Sequence, residues 1–475
     1  MVLNINRVAR NLLSIGLSSF LAQFIMFIQI AYYARVLSVE SFGIVNLAQS
    51  ILVYFTMITL FGFQTLGTKE ISKDKNKAGE LIGYISIIRI IVAVICFTFI
   101  IAIGILSNRG VTFSNLLIIF GFTLLPLAFN IDWLFSGLQE MQHNGIYNII
   151  KSLIPLILSL IFIKGEEGIF YIPIFTLVGL ILGIIYQGYI IKVKKKIKVV
   201  IKLNRYEIKK YVIRSTPFLV SGLLSMINMN LDTIIIGFTR SEYELGIYSS
   251  AYKIIFFLIN LIAVIYVPFF PLLIEYFNNK DISKLQNVVN NICKVVMLLG
   301  FPIAIGGILL SKEIIILLFT DKYAEAYLPF IILLIYIFIL FMRETYGYSL
   351  NAWNMERKYL KSVAISSIAN LILNLIFIPK YGIVAAAITT VISELINFII
   401  MKKHSKLVVS TNYLSNLVKL ILPIFIMSGV VIILNYYRIN VIINIISAVV
   451  VYFYSAIYFK YISMNELKVL MKKNK

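Results

Sequence analysis

The chain has 475 residues, 60% of them hydrophobic and only 13% charged, with a mean hydropathy of +0.94. So little polar surface cannot cover a water-soluble domain, which excludes soluble enzymes and soluble binding modules. The net charge of +22 would suit a nucleic-acid partner, but the cations sit in short clusters between apolar stretches and no nucleic acid is expected.

A hydrocarbon core about 30 Å thick needs roughly 20 apolar residues per helix. Windows of about 19 residues place about 14 transmembrane helices, at 12–34, 42–62, 81–107, 112–135, 146–164, 168–191, 212–239, 246–274, 295–318, 328–351, 362–378, 382–401, 417–435 and 440–460. The first follows Arg7 and Arg10, is too long for a signal-peptide core and has no small-residue cleavage site, so it is expected to be a retained helix. With the N-terminus in the cytoplasm, thirty of the 43 Lys and Arg fall in inside connections and eight outside. That excess is the positive-inside rule, and an even span number returns the C-terminus to the cytoplasm.

The expected fold class is an all-α polytopic membrane protein with two six-helix lobes and two extra C-terminal helices. The lobes are 1–191 (spans 1–6) and 212–401 (spans 7–12), joined by a basic cytoplasmic linker at 192–211, with spans 13–14 and a cytoplasmic tail in 402–475. The linker, rich in lysine from Lys192 to Lys210, suits an anionic lipid surface. Across it the sequence repeats. Phe42-Gly43-Ile44 and Ala48 align with Leu245-Gly246-Ile247 and Ala251, and Leu156 to Ile163 (LILSLIFI) matches Leu371 to Ile378 (LILNLIFI). Six spans preserve orientation, so the lobes are expected to be related by a pseudo-two-fold along the membrane normal.

The connections are too short for a catalytic domain. Gly62 to Lys69 reads G-x-x-x-x-G-T-K, not the phosphate-loop order, and it follows an apolar span, not a strand. With His143 and His404 the only histidines, neither a zinc site nor a His-based triad is expected. Cys96 and Cys293 have no metal-like spacing and read as buried thiols. The chain reads as a transporter, not an enzyme, with no cofactor and no metal.

Charges inside the spans are the candidate site residues, because an ionisable group in hydrocarbon usually faces a watered, protein-lined cavity. Arg89, about 12 Å into the third span by helical rise, and Arg343, deep in the tenth, are expected to line a cationic lumen. Arginine suits phosphate because its planar fork donates two parallel hydrogen bonds and stays charged when desolvated. For Arg343 the competing reading is an interhelical pair with a carboxylate; Glu344 is adjacent. Asp232 and Lys253 lie at similar depth in consecutive spans and read as an ion pair, or as a pair that substrate phosphate or a coupling cation opens. Glu394, with no local partner, is placed to take up a proton or Na⁺. Lys151, Lys419 and Asp132 sit near span ends, where lysines can snorkel to the headgroups. Gly179 and Gly183 are spaced for close helix approach.

Several stretches resemble one family: Ala34-Arg35-Val36-Leu37 leading into Phe42 to Gln49, Asp132 to Met141, Ser215-Thr216-Pro217-Phe218, Asn230-Leu231-Asp232, and Gly246 to Lys253. The chain resembles, over nearly its whole length, the bacterial polysaccharide repeat-unit flippases of the multidrug/oligosaccharidyl-lipid/polysaccharide exporter superfamily. The resemblance implies a bacterial cytoplasmic (inner) membrane protein that moves an undecaprenyl-diphosphate-linked oligosaccharide of O-antigen, capsule or exopolysaccharide from inner to outer leaflet by alternating access. It also implies a polyprenyl-linked glycan and membrane lipids as partners, alongside a polysaccharide polymerase and other assembly proteins. Asp232 and Lys253 fall on family-like positions, whereas Arg89, Arg343, Glu344 and Glu394 are singled out by depth and charge. The alternatives are a cation-coupled multidrug antiporter of the same superfamily, which the last two spans disfavour, and a membrane-bound polymerase or ligase, which the short outside loops disfavour.

Overall fold

The computed structural model describes residues 5–266 and 268–462. Among them every regular element is helical, and nine helices are long and apolar enough to cross a membrane, beside the shorter apolar stretches Phe20–Val36 and Val111–Leu127. The side chains of Arg7 and Arg10 and the tail from 463 onward lie outside the described residues. Large apolar side chains such as Phe99, Ile105 and Leu106 on one helix, and Phe425 and Ile433 on another, stand exposed, as helices solvated by lipid require. The protein is a multi-pass, all-helical membrane protein.

The chain forms two compact units, Met1–Ser249 and Ser250–Lys475. The first contains α1 (Ile5–Val36), α2 (Val39–Leu60), α3 (Phe63–Lys73), α4 (Ala78–Leu106), α5 (Val111–Gly121), α6 (Leu124–Leu127), α7 (Asp132–Gly137), α8 (Gln142–Phe162), α9 (Tyr171–Tyr189), α10 (Arg205–Thr239) and the start of α11 (Glu242–Tyr266). The boundary falls at Ser249 and not at the basic linker because α10 packs along α2, α3 and α4. Tyr54 donates to the carbonyl of Met226, and Ser215 donates to that of Phe61. Arg214 pairs with Glu70 at 2.5 Å.

The segment expected as one span at 112–135 is instead three pieces, α5, α6 and α7. Pro126 lies within α6 and has no N–H to continue a helical ladder. The chain between α6 and α7 then leaves backbone groups of Asn130 and Ile131 to be satisfied by side chains. Packing around this break is dense: Trp133, Leu134 and Phe135 are fully buried against Phe63, Leu66 and Tyr84. Gly67 of the spurious phosphate-loop pattern lies beneath Trp133, whose ring would be 2.6 Å from a Cβ there. As expected, α8 and α9 approach closely, with Gly179 against Pro155 and Gly183 against Tyr147.

The repeated glycines meet. A methyl on Gly43 would lie 2.4 Å from the carbonyl oxygen of Glu242 and 2.9 Å from the nitrogen of Gly246, and one on Gly246 would lie 2.0 Å from the carbonyl oxygen of Val39. The starts of α2 and α11 therefore cross backbone to backbone. Nearby, Arg240 and Glu244 form a bidentate pair at 2.6 and 2.7 Å, and the hydrogen bonds from Arg240 to Glu244 raise the pKa of the guanidinium above its ordinary value.

Past α9, a π-helical turn Ile190–Lys195 leads into an extended strap, 196–204. Its backbone docks on α4: the Val200 N–H donates to the carbonyl of Gly79 at 3.0 Å. Gly79 and Gly83, four residues apart, leave the space, since a Cβ at either would strike the strap carbonyls of Lys198 and Val200. Lys198 and Lys202 are exposed along it beside Ile201 and Leu203.

The second unit contains the rest of α11, then α12 (Phe270–Asn278), α13 (Ile282–Leu309), α14 (Ser311–Phe319), α15 (Tyr327–Ala352), α16 (Glu356–Ser405), α17 (Tyr413–Tyr436) and α18 (Val441–Tyr458). The expected span at 295–318 ends at Leu309, with α14 a separate helix, and the expected span at 246–274 divides between α11 and α12. The expected pair 362–378 and 382–401 runs on as α16, kinked at Gly382 (φ 67°), a backbone angle that favours glycine. The last two helices dock on α13 through Leu420, Ile424, Met427, Ala448 and Tyr452 against Met297 and Leu298. The Tyr452 hydroxyl donates to the carbonyl of Leu298 at 3.0 Å.

Candidate functional site

In the first unit Arg89 is fully buried on α4. Its Nε donates to the carbonyl of Leu60 at the end of α2 (3.2 Å), and its Nη1 donates to that of Asn130 in the α6–α7 break (2.7 Å). Its guanidinium also stands 5.8 Å from the centre of the Phe63 ring. The other backbone group of the break, the Ile131 N–H, donates to Gln187 of α9 at 3.2 Å. Irregular backbone at membrane depth persists only when such groups are paired, and here an arginine and a glutamine pair them. Arg89 was expected to line a lumen; in this conformation it is enclosed by protein and its bonds are spent on the scaffold. Its Nη2 has no hydrogen-bond partner among the described residues.

Asp132 continues this cluster. Its carboxylate accepts from Gln187 at 2.5 Å, and its carbonyl accepts from Asn144 at 2.9 Å. Lys151, one of the lysines near a span end, lies with its ammonium 5.6 Å from the centre of the Tyr147 ring. Asp232, on α10, is buried and accepts from the Tyr248 hydroxyl at 2.9 Å. Lys253 lies on α11 beyond the division, in the second unit.

The second unit brings three of the predicted residues together. Arg343 of α15 donates through Nε to Glu394 of α16 at 2.6 Å and through Nη1 to Glu344 at 2.8 Å. Arg343 and Glu394 are each 8% exposed. Glu394, without a partner in the sequence near it, is thus one half of a buried ion pair across 51 positions. One guanidinium against two carboxylates leaves a negative charge in excess, so the Arg343 region does not present the positive field that a phosphate needs. Further along α16, Asn370 donates to Ser393 (3.2 Å), Asn374 donates to Asn370 (3.0 Å) and Thr389 donates to Asn374. This neutral ladder links the two arms of the kinked helix. Sequence reasoning passed over it because uncharged amides and hydroxyls at four-residue spacing also occur on ordinary helix faces. No cluster of three or more His, Cys, Asp or Glu suited to a metal occurs among the described residues.

Known proteins share both the sequence pattern and the fold. The model of the family described as polysaccharide biosynthesis protein matches residues 8–277, and that of the family described as lipid II flippase MurJ matches residues 150–453. A probable low-salt glycan biosynthesis flippase, Agl15, of Haloferax volcanii is 26% identical over 38% of this chain, a match that covers only 39% of that protein. A putative O-antigen transporter of Shigella dysenteriae is 24% identical over 60% of this chain and 74% of its own length. The capsular polysaccharide biosynthesis protein CapF of Staphylococcus aureus is 24% identical over 73% and 87%. Among solved structures, the lipid II flippase MurJ in an inward closed conformation superposes with a TM-score of 0.76 at 16% identity, covering 94% of this chain and 98% of that one. An inward-facing multidrug resistance MATE transporter of the MOP superfamily superposes with a TM-score of 0.66 at 15% identity, covering 81% and 95%.

Proposed function

The chain belongs to the polysaccharide biosynthesis protein family, and from that membership we propose that it is a flippase moving lipid-linked glycan precursors across the membrane. The observation that carries the reading is the family match over residues 8–277 in a chain whose fold follows a lipid II flippase over 94% of its length. Relatives named as an O-antigen transporter and a capsular polysaccharide protein support a polyprenyl-diphosphate-linked repeat unit as the substrate. The same reading takes the chain as about fourteen spans in two six-helix lobes plus a terminal pair. It sits in the cytoplasmic membrane with both termini inside, as the lysine and arginine distribution favours.

Alternating access then needs a place for the diphosphate that is not already neutralised. Arg89 is committed to backbone carbonyls and Arg343 to two carboxylates. Lys253 makes no ion pair among the described residues, and we assign it the phosphate contact. Asp232, buried on α10 and accepting a hydrogen bond from the Tyr248 hydroxyl, is the group we assign to coupling with H⁺ or Na⁺. A multidrug antiporter is the second reading; the shared superfamily fold, with a TM-score of 0.66 to a MATE transporter, supports it less well than the MurJ likeness.

Deleting the gene tests the function. Lipid-linked repeat units accumulate on the cytoplasmic leaflet while their synthesis continues, measured by leaflet-selective labelling of the glycan. Normal surface polymer with no stranded lipid would reject the reading.

A further inference from the structure

Beside the arginine–carboxylate trio a cavity of about 310 Å³ opens within the second unit, lined by Phe270, Glu344, Tyr348, Asn351 and Tyr359. Glu344, Tyr348 and Asn351 follow one another at intervals of four and three along α15, so a single helix face offers a carboxylate, a phenol ring and an amide. Phe270 at the start of α12 and Tyr359 near the start of α16 complete the walls.

These walls are set in place before any ligand arrives. The Tyr348 ring is stacked on Tyr266 (centroids 4.7 Å apart, planes at 9°) and is met edge-on by Phe270 (5.9 Å, 81°). Tyr266 is itself fixed, its hydroxyl donating to the carbonyl of Phe341 at 2.6 Å. Oε1 of Glu344 accepts from Arg343, while Oε2 takes no hydrogen bond among the described residues, and neither does the Asn351 amide. Gly347, one turn from Asn351, keeps the space open: a methyl there would lie 3.2 Å from Oε2 of Glu344 and 3.3 Å from the Tyr359 ring.

From this arrangement we propose that the cavity is a subsite for one neutral sugar ring of the carried glycan and that it rejects acidic sugars. The inference rests on the flippase reading and names a substrate feature within it. A sugar ring has an apolar face of C–H groups and a rim of hydroxyls. Fixed aromatic rings match the face, and an acceptor carboxylate oxygen with a donor–acceptor amide matches the rim. The volume lies at the low end of small-ligand pockets, roughly 300–1,000 Å³, which accommodates one ring and not a chain of them. The surplus negative charge of Glu344 and Glu394 over Arg343 opposes a uronate or a phosphate at this position. That places the diphosphate elsewhere in the protein.

The full chain in lipid nanodiscs is tested by saturation-transfer NMR with four probes: methyl glucoside, methyl N-acetylglucosaminide, glucuronate and choline. At least one neutral glycoside should receive saturation, glucuronate should bind at least tenfold more weakly, and Gly347→Leu should abolish the neutral signal. Glu344→Gln should narrow the discrimination against glucuronate by at least fivefold, a charge readout that a merely unfolded variant cannot give. No transfer to either neutral glycoside, equal binding of glucuronate, or a response to choline alone overturns the subsite. The same nanodisc-quality protein in liposomes is assayed for translocation of lipid-linked glycan. Translocation without glycoside binding rejects the subsite and leaves the flippase standing; absent translocation rejects the flippase, and the glycoside signal is judged on its own.

Discussion

Two buried arginines, one in each compact unit, solve different problems with the same side chain. Arg89 serves neutral carbonyls left open where a helix ends and another breaks. Arg343 serves two carboxylates on neighbouring helices. The difference lies in what is left behind when the guanidinium goes: unpaired dipoles in the first unit, unpaired charges in the second. Depth in the bilayer alone does not separate these roles; the partners do.

Arg343→Ala should give the largest effect, about 3–5 kcal/mol of lost stability, because it strands the buried carboxylate of Glu394 beside the half-buried one of Glu344. Thermal unfolding in detergent, followed by size-exclusion chromatography, measures it. Combining Arg343→Met with Glu344→Gln and Glu394→Gln should restore most of the loss; no restoration would mean that the arginine's packing, not its charge balance, matters. Arg89→Ala should cost less, on the order of 2 kcal/mol for two buried carbonyls left unmet. Adding Asp132→Asn should not rescue it, and a rescue would make Arg89 a charge partner after all and dissolve the contrast. Gly246→Ala in the glycine crossing should be smaller still, about 1–2 kcal/mol from forced separation of α2 and α11. Its transport rate in liposomes should fall more than its melting temperature suggests.

Many of the apolar helices were legible because hydrocarbon thickness imposes a length on apolar runs, although the segments expected as single spans at 112–135, 246–274 and 295–318 each divide between separate helices. The close approach at Gly179 and Gly183 was legible too, from small residues four apart, whereas Gly43 and Gly246 stood out only as matching positions of a motif and not as a contact. The break at Asn130 was not, because Phe129 and Ile131 on either side are as apolar as the rest of the segment. Arg89's partners are main-chain carbonyls, which leave no mark in a sequence. The Arg343–Glu394 pair spans 51 positions, and only the meeting of α15 with α16 reveals it. Phe270 and Tyr359 were missed for the same reason: aromatic residues are common in this chain, and their convergence on one cavity is a property of the packing.

The Gly43–Gly246 crossing ties the tolerance of each position to the other. A side chain at Gly43 meets the main chain of Glu242 and Gly246, and one at Gly246 meets that of Val39, so neither obstacle can be relieved by trimming a neighbouring side chain. Enlarging either residue forces the same displacement of the two helix starts, and once that displacement is made the second glycine is no longer under the constraint that held it.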